Sequence, residues 1–122
     1  MIKHVKFASI PVRDQSKALA FYTEKLGFEV VTDQPMDEGM RWIEVKPAGA
    51  ETKVVLSACP EEADRIGTFS NVVFGTEDVR ATYEELKAKG VEFIKPPTDE
   101  PWGVYAQFVD SEGNQLLLVS GC

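Results

Sequence analysis

The chain holds one histidine, His4, and only two cysteines, Cys59 and Cys122. Two cysteines outside any CxxC pair make no disulfide framework. They read as a partly buried thiol and a tail thiol, because a nucleophilic Cys59 would want a histidine base and His4 sits near the terminus. Long apolar runs are missing as well. No stretch approaches the roughly 18 residues that a membrane-crossing helix needs. The start, MIKHVKFASIPV, lacks the apolar core and small-residue cleavage site of a secretion signal, which predicts a cytoplasmic protein. Positive charge is also short. Lys and Arg total 13 against 20 Asp and Glu, a formal net charge of −7. Nucleic acid and anionic membrane surfaces reward a basic face, so neither is an expected partner. An acidic surface serves solubility and, where it meets a ligand, favours a cationic one.

What the chain does have is a supersecondary unit written twice. Phe7–Val31 (FASIPVRDQSKALAFYTEKLGFEVV) and Asn71–Ile94 (NVVFGTEDVRATYEELKAKGVEFI) each open on a short apolar run. Each continues through an aspartate, an amphipathic helical pattern, a glycine and a second β-prone run. Asp14 and Asp78 are 64 residues apart, and Gly27 and Gly90 are 63 apart. A unit repeated at a fixed offset is the mark of tandem modules.

Taken in order, Val5–Val12 is a strand with Ala8, Ile10 and Val12 on one face and Val5, Phe7 and Ser9 on the other. Asp14 caps a helix over Gln15–Leu26, which Gly27 ends. Strands follow at Phe28–Thr32, Met40–Lys46 and Thr52–Ala58, with Asp33–Gly39 a polar loop. Module one is residues 1–58, the linker 59–68 and module two 69–122. The second module repeats the β-α-β-β-β plan: a strand at Phe69–Gly75, a helix at Val79–Lys89 capped by Asp78, and a strand at Val91–Ile94. Lys95–Gly103 (KPPTDEPWG) reads as a loop that its paired prolines keep from being helix. Val104–Val109 and Gln115–Ser120 close a hairpin around Asp110–Asn114. The fold class is α+β.

FYTEKLGF at Phe21–Phe28, PWG at Pro101–Gly103 and DSEGNQLLLV at Asp110–Val119, set in this doubled plan, resemble the vicinal oxygen chelate superfamily. That group includes glyoxalase I, bleomycin-resistance proteins, fosfomycin-resistance enzymes and extradiol dioxygenases. The resemblance covers nearly the whole chain. It implies curved mixed sheets that form a cupped cavity between the modules, helices outside, and a homodimer. It also implies metal ligands on the first and last strand of each module, usually His or Gln and then Glu. Here those places fall at Phe7, at Val55 or Leu56, at Asn71 and at Leu117. Hydrocarbon side chains and one neutral amide do not make a divalent-metal site. The expectation is therefore a branch of the family with no metal and no cofactor.

By strand parity the cavity is lined instead by Phe7 and Ser9, by Trp42 and Glu44, and by Asn71, Tyr105, Gln107 and Leu117. Trp42 and Tyr105, and Glu44 and Gln107, match across the repeat at an offset of 63. Trp102, on its proline-flanked loop, is either a lid or a residue packed on the sheet end. Glu44 either faces the apolar cup, pairs with Arg41 or sits at the solvated rim, and Trp42 and Tyr105 serve either as core or interface rings or as ligand platforms. An aromatic and aliphatic cup with a few polar groups is the usual make-up of a small-molecule site. The leading expectation is a metal-free, bleomycin-resistance-like protein that holds an aromatic or cationic organic ligand. The alternative is a superfamily lyase or isomerase with Glu44 as its base, helped by Gln107 and Asn71. A third reading, a pure interaction module, needs Phe7, Trp42 and Leu117 to fill the interior.

Overall fold

The structure, a computed structural model, describes residues 1–120, and at Glu38 the backbone alone. Cys122, expected as a tail thiol, lies outside the described residues. The chain divides into two compact units, Met1–Ile66 and Gly67–Cys122. Each unit holds one four-stranded mixed sheet with a helix on one face.

In the first unit β1 (Phe7–Pro11) leads to α1 (Gln15–Ala20), then to β2 (Glu29–Pro35), β3 (Arg41–Lys46) and β4 (Lys53–Ser57). The sheet order is β1-β4-β3-β2, with β1 parallel to β4 and the other pairs antiparallel. In the second unit β5 (Phe69–Gly75) leads to α2 (Val79–Ala88), β6 (Glu92–Glu100), β7 (Gly103–Val109) and β8 (Gln115–Ser120). Its order, β5-β8-β7-β6, has the same parallel first pair. The doubled β-α-β-β-β plan read from the sequence is the plan of the fold.

The helix starts follow from the two aspartates. Asp14 accepts from the Lys17 backbone N–H at 3.0 Å, and Asp78 from that of Ala81 at 3.1 Å. Each bond satisfies one of the donors that a helix N-terminus leaves open. The ends follow from Gly27 and Gly90, at φ 76° and 91°, a conformation costly for any residue with a Cβ. The first helix is not one α-helix through Leu26, as its periodicity predicts. It widens over Phe21–Lys25 into a π-helical turn, with Leu26 N–H reaching back to Phe21 O. Thr23 Oγ1 also donates to Leu19 O at 2.8 Å. The wider turn lets the neighbours Phe21 and Tyr22 both be buried, their rings edge to face at 5.3 Å. Counted from the capping aspartates, the second helix has an exposed Glu85 opposite Phe21 and a buried Leu86 opposite Tyr22, so only one of the two positions is buried, and it stays regular.

The cores are one-sided. Ile10, Val12, Ile43, Val45 and Leu56 are buried in the first unit with Ala18 and Tyr22 of the helical segment. Ala106, Phe108, Leu116 and Leu118 are buried in the second with Val79 and Leu86 of α2. Each such Val, Leu, Ile or Phe contributes about 1.5–3 kcal/mol relative to exposure.

Two stretches read as loops are strand. β2 runs on to Pro35 and β6 runs from Glu92 through Pro96 and Pro97 to Glu100. Both are edge strands, which tolerate proline, and Pro96 and Pro97 fall at a register shift between Lys95 and Thr98 where the ladder is interrupted. Most of the expected linker belongs to the first unit, where Pro60–Arg65 forms a short 3₁₀ turn against β1. Among the described residues no helix is long and apolar enough to cross a membrane.

The turn before β8 is held by a buried pair. Asp110 Oδ1 accepts from the backbone N–H groups of Glu112 and Asn114, and Asp110 Oδ2 accepts from Asn114 Nδ2 at 3.0 Å. Asn114 Oδ1 in turn takes the Gly67 N–H at 2.8 Å, which ties the start of the second unit to its last hairpin. Replacing Asn114 by Ala takes one partner from the buried Asp110 carboxylate and one from the exposed Gly67 N–H. The expected loss is about 2–4 kcal/mol, read as a fall in the urea-unfolding midpoint.

In the first unit Arg41 grips Asp33 with two bonds, Nε to Oδ1 at 3.0 Å and Nη2 to Oδ2 at 2.7 Å, and its Nη1 donates to Ser16 Oγ at 2.6 Å. The hydrogen bonds from Arg41, and secondarily its charge, hold the Asp33 carboxyl below its usual pKa of 3.8. Its contribution is thus present above that value and is lost as pH falls through the lowered folded pKa. Because the pair is about a third exposed, its worth is about 0.5–1 kcal/mol. The expected result is that Asp33→Asn is less stable than the parent by that amount at pH 7. The two urea midpoints should draw together as pH drops below 3.8.

Candidate functional site

Once Ile43 and Val45 are packed toward the helix, the pleat turns Trp42 and Glu44 to the opposite, open face of the first sheet. Strand register completes that face. Glu44 lies beside Val55 on β4 and Thr32 on β2, and Val55 lies beside Ser9 on β1. Of the two places considered for a last-strand ligand, Val55 therefore sits on the open face and Leu56 on the helix side. The Phe7 ring meets Trp42 edge to face, with centroids 5.5 Å apart at 83°. The Trp42 indole Nε1 donates to Glu44 Oε2 at 3.2 Å. Glu44 is only 9% exposed, so this carboxylate sits among apolar neighbours with an indole N–H as its partner. The pairing of Glu44 with Arg41 held open by the sequence is not what forms. Arg41 points to the helix side and is taken by Asp33.

At the end of this sheet lies a hollow of about 190 Å³, walled by Met36, Met40, Trp42, Val55, Ser57 and Cys59. It is smaller than the ~300 Å³ at which pockets for drug-sized molecules begin, and has room for about one ring. Beside it a wider, shallower hollow of about 450 Å³ is bordered by Arg13, Asp14, Ser16, Gly39 and Arg41. Met36, Met40 and Cys59 were not anticipated as lining residues. They fall at strand ends and in connecting turns, where residue alternation gives no direction.

The open face of the second sheet is built by the same rule. Ala106 and Phe108 turn to the helix, so Tyr105 and Gln107 turn away, beside Val119 and Leu117 of β8. Gln107 Nε2 donates to Gln115 Oε1 at 3.2 Å. Trp102, 45% exposed, lies against Tyr105 with centroids 5.9 Å apart and ring planes 31° from parallel. Lys95 stands 5.0 Å from the centroid of the Tyr105 ring. The hydrogen bond with the Tyr105 side chain holds the Lys95 ammonium above its usual pKa. Lys95 was missed because its segment reads as a loop. Its pairing with Gln107 in β6 puts both side chains on one face.

Asn71 departs from the expected pattern. It adopts φ 64°, the only positive φ outside glycine among the described residues. The pairing of β5 with β8 shifts register between Phe69 and Val73. Asn tolerates that conformation better than most residues. The shift interrupts the alternation that would carry Asn71 onto the Val73 and Leu117 face, and its side chain is exposed. His4 is exposed before β1 begins.

The residues that the resemblance sets at metal-ligand positions are Phe7, Val55, Asn71 and Leu117. Three of the four side chains have no donor atom, and this set does not fit a divalent ion. Among the described residues no three His, Cys, Asp or Glu side chains are grouped as ligands.

Residues 2–118 match the family model described as the glyoxalase/bleomycin resistance protein/dioxygenase superfamily. The chain is 41% identical over 120 residues to the uncharacterized protein YetH of Bacillus subtilis (strain 168), covering 97% of this chain and 98% of that one. It superposes with a TM-score of 0.88 on TnmS3, described as an antibiotic binding protein from Streptomyces sp. CB03234, at 38% identity over 99% of this chain and 98% of that one. A superfamily member from Sphaerobacter thermophilus DSM 20745 gives the same TM-score of 0.88 at 41% identity over 98% of each chain. Sequence, sheet order and these matches agree: the chain belongs to the glyoxalase/bleomycin resistance protein/dioxygenase superfamily.

Proposed function

We propose that this protein binds a small organic molecule, aromatic or cationic, without a metal ion and without turning it over, in the manner of the bleomycin-resistance proteins. The observation that carries this reading is an exchange of chemistry on the open faces. Where metal-dependent relatives place ligands, this chain has Phe7, Val55, Asn71 and Leu117. On the same faces it gathers ring pairs, Phe7 with Trp42 and Trp102 with Tyr105. Ring stacking supplies affinity without charge or metal, about 0.5–1.5 kcal/mol per aromatic pair beyond the area buried. The buried Glu44 carboxylate beside Trp42 gives one acceptor by which a donor group or cation on the ligand would be oriented. The similarity of the whole chain to an antibiotic binding protein supports the same reading. The assembly proposed is a homodimer acting in the cytoplasm.

Protein stripped with EDTA should bind at least one member of a panel of polycyclic aromatic and cationic antibiotics. The dissociation constant should fall below about 100 μM, roughly −5.5 kcal/mol, by calorimetry or tryptophan quenching. Trp42→Ala should weaken that binding about tenfold or more, with its thermal melt as the check on folding. Added Zn²⁺, Mn²⁺ or Ni²⁺ should leave the affinity unchanged. Failure of the whole panel, or binding that appears only with metal, would overturn the proposal.

A further inference from the structure

A bulge places a positive charge beside the aromatic pair of the second module. Phe93 pairs with Phe108 and Lys95 with Gln107, so Ile94 is an extra residue in β6. Without it Lys95 would stand opposite Ala106, on the face that packs against α2, where an ammonium has no counter-charge and burial is costly. The bulge turns Lys95 to the open face, the kind of re-aiming that bulges perform. The first module has the same device. Val30 pairs with Val45 and Thr32 with Glu44, leaving Val31 extra. Val31 and Ile94 are 63 residues apart, the offset of the repeat, so the bulge belongs to the unit and delivers a side chain to one defined place. In the first module that place holds a hydroxyl, Thr32. In the second it holds an ammonium, Lys95.

The surroundings of Lys95 leave its charge in force. Its Nζ lies 5.0 Å from the centroid of the Tyr105 ring, whose neutral hydroxyl is its hydrogen-bond partner, and Tyr105 lies tilted against the exposed Trp102. The acids on the same strand are Glu92, Asp99 and Glu100; Asp99 is engaged by Arg80 at 2.9 Å, and Glu100 acts on Lys95 only through space. A planar molecule laid on Trp102 beside Tyr105 therefore meets the Lys95 ammonium that stands over the Tyr105 ring. A cationic ligand is repelled there and must compete with Lys95 for the Tyr105 ring. An anionic group gains a charge-assisted hydrogen bond.

We infer that the Trp102–Tyr105 platform selects planar aromatic acids, with a carboxylate or phenolate on the ring system, and that Lys95 is the residue that determines this preference. The inference rests on the binding function proposed above and narrows its ligand class. It assigns the cation-favouring role to the Glu44 face alone.

The test is titration of the full-length protein with 1-naphthoate and with 1-naphthamide, which share a ring system and differ in charge. The parent should favour the naphthoate by about fivefold, the scale of a partly exposed ion pair, and salt should reduce the margin. Lys95→Gln should bring the ratio of the two affinities to about one, and Lys95→Arg should retain the preference. Equal binding of the two probes by the parent, or a preference that survives Lys95→Gln, overturns the inference and leaves the binding function standing. If neither naphthalene binds while the antibiotic panel does, the inference alone fails. If nothing binds in either experiment, both fail.

Discussion

The packing of Ile43 and Val45 toward the first helix, and of Ala106 and Phe108 toward the second, is the constraint on which the open faces depend. Side chains on a strand alternate with a period of two, so fixing one apolar pair fixes every neighbour. Trp42 and Glu44 point away from the helix because Ile43 and Val45 cannot, and the same holds for Tyr105 and Gln107. A slip of one residue in β3 would bury Glu44 beneath α1 and expose two aliphatic side chains. That cost holds the register, and the register holds the candidate site.

Both modules depart from simple alternation at one matched bulge, Val31 and Ile94, and the second also shifts register in β5 and after Lys95. The extra residues Val31 and Ile94 let an edge strand present a polar side chain beside the middle strand's polar position. One backbone plan then carries two electrostatic characters. The first module sets a carboxylate, Glu44, next to an indole. The second sets an ammonium, Lys95, next to a phenol. The charges occupy non-equivalent places of the repeat, Glu44 on a middle strand and Lys95 on an edge strand. A duplicated unit thereby carries two faces of different charge, which under the proposal above favour different ligand groups. Under the binding function proposed above, Phe7, Val55 and Leu117 offer no donor to a metal, and the energetics of the site rest on stacking and burial.

Much of this was legible in the sequence. The aspartate caps, the terminating glycines, the β-α-β-β-β repeat and the directions of Trp42, Glu44, Tyr105 and Gln107 all follow from local rules that the fold obeys. What was not legible has identifiable causes. Pro96 and Pro97 suggested a loop because proline opposes central strands, and only the sheet order shows that β6 is an edge. Lys95 was hidden by that reading. The π-helical turn at Phe21–Lys25 arises from burying two adjacent rings, a tertiary demand that helical periodicity does not express. Asn71 sits at a register shift with φ 64°, so counting by twos from Phe69 does not fix its direction. Met36, Met40 and Cys59 line their hollow from turns and strand ends, where no period applies.

The central claim is that the aromatic open faces, and not a metal, bind the ligand. Backbone and indole N–H shifts recorded by ¹H–¹⁵N NMR on EDTA-treated protein, with a bound aromatic ligand titrated in, test it most directly. The account predicts shifts in the Trp42 and Trp102 indole resonances and in the amides of β3 and β7, all without added metal. Shifts confined to the α1 and α2 faces, or shifts that arise only once a divalent ion is supplied, would contradict it.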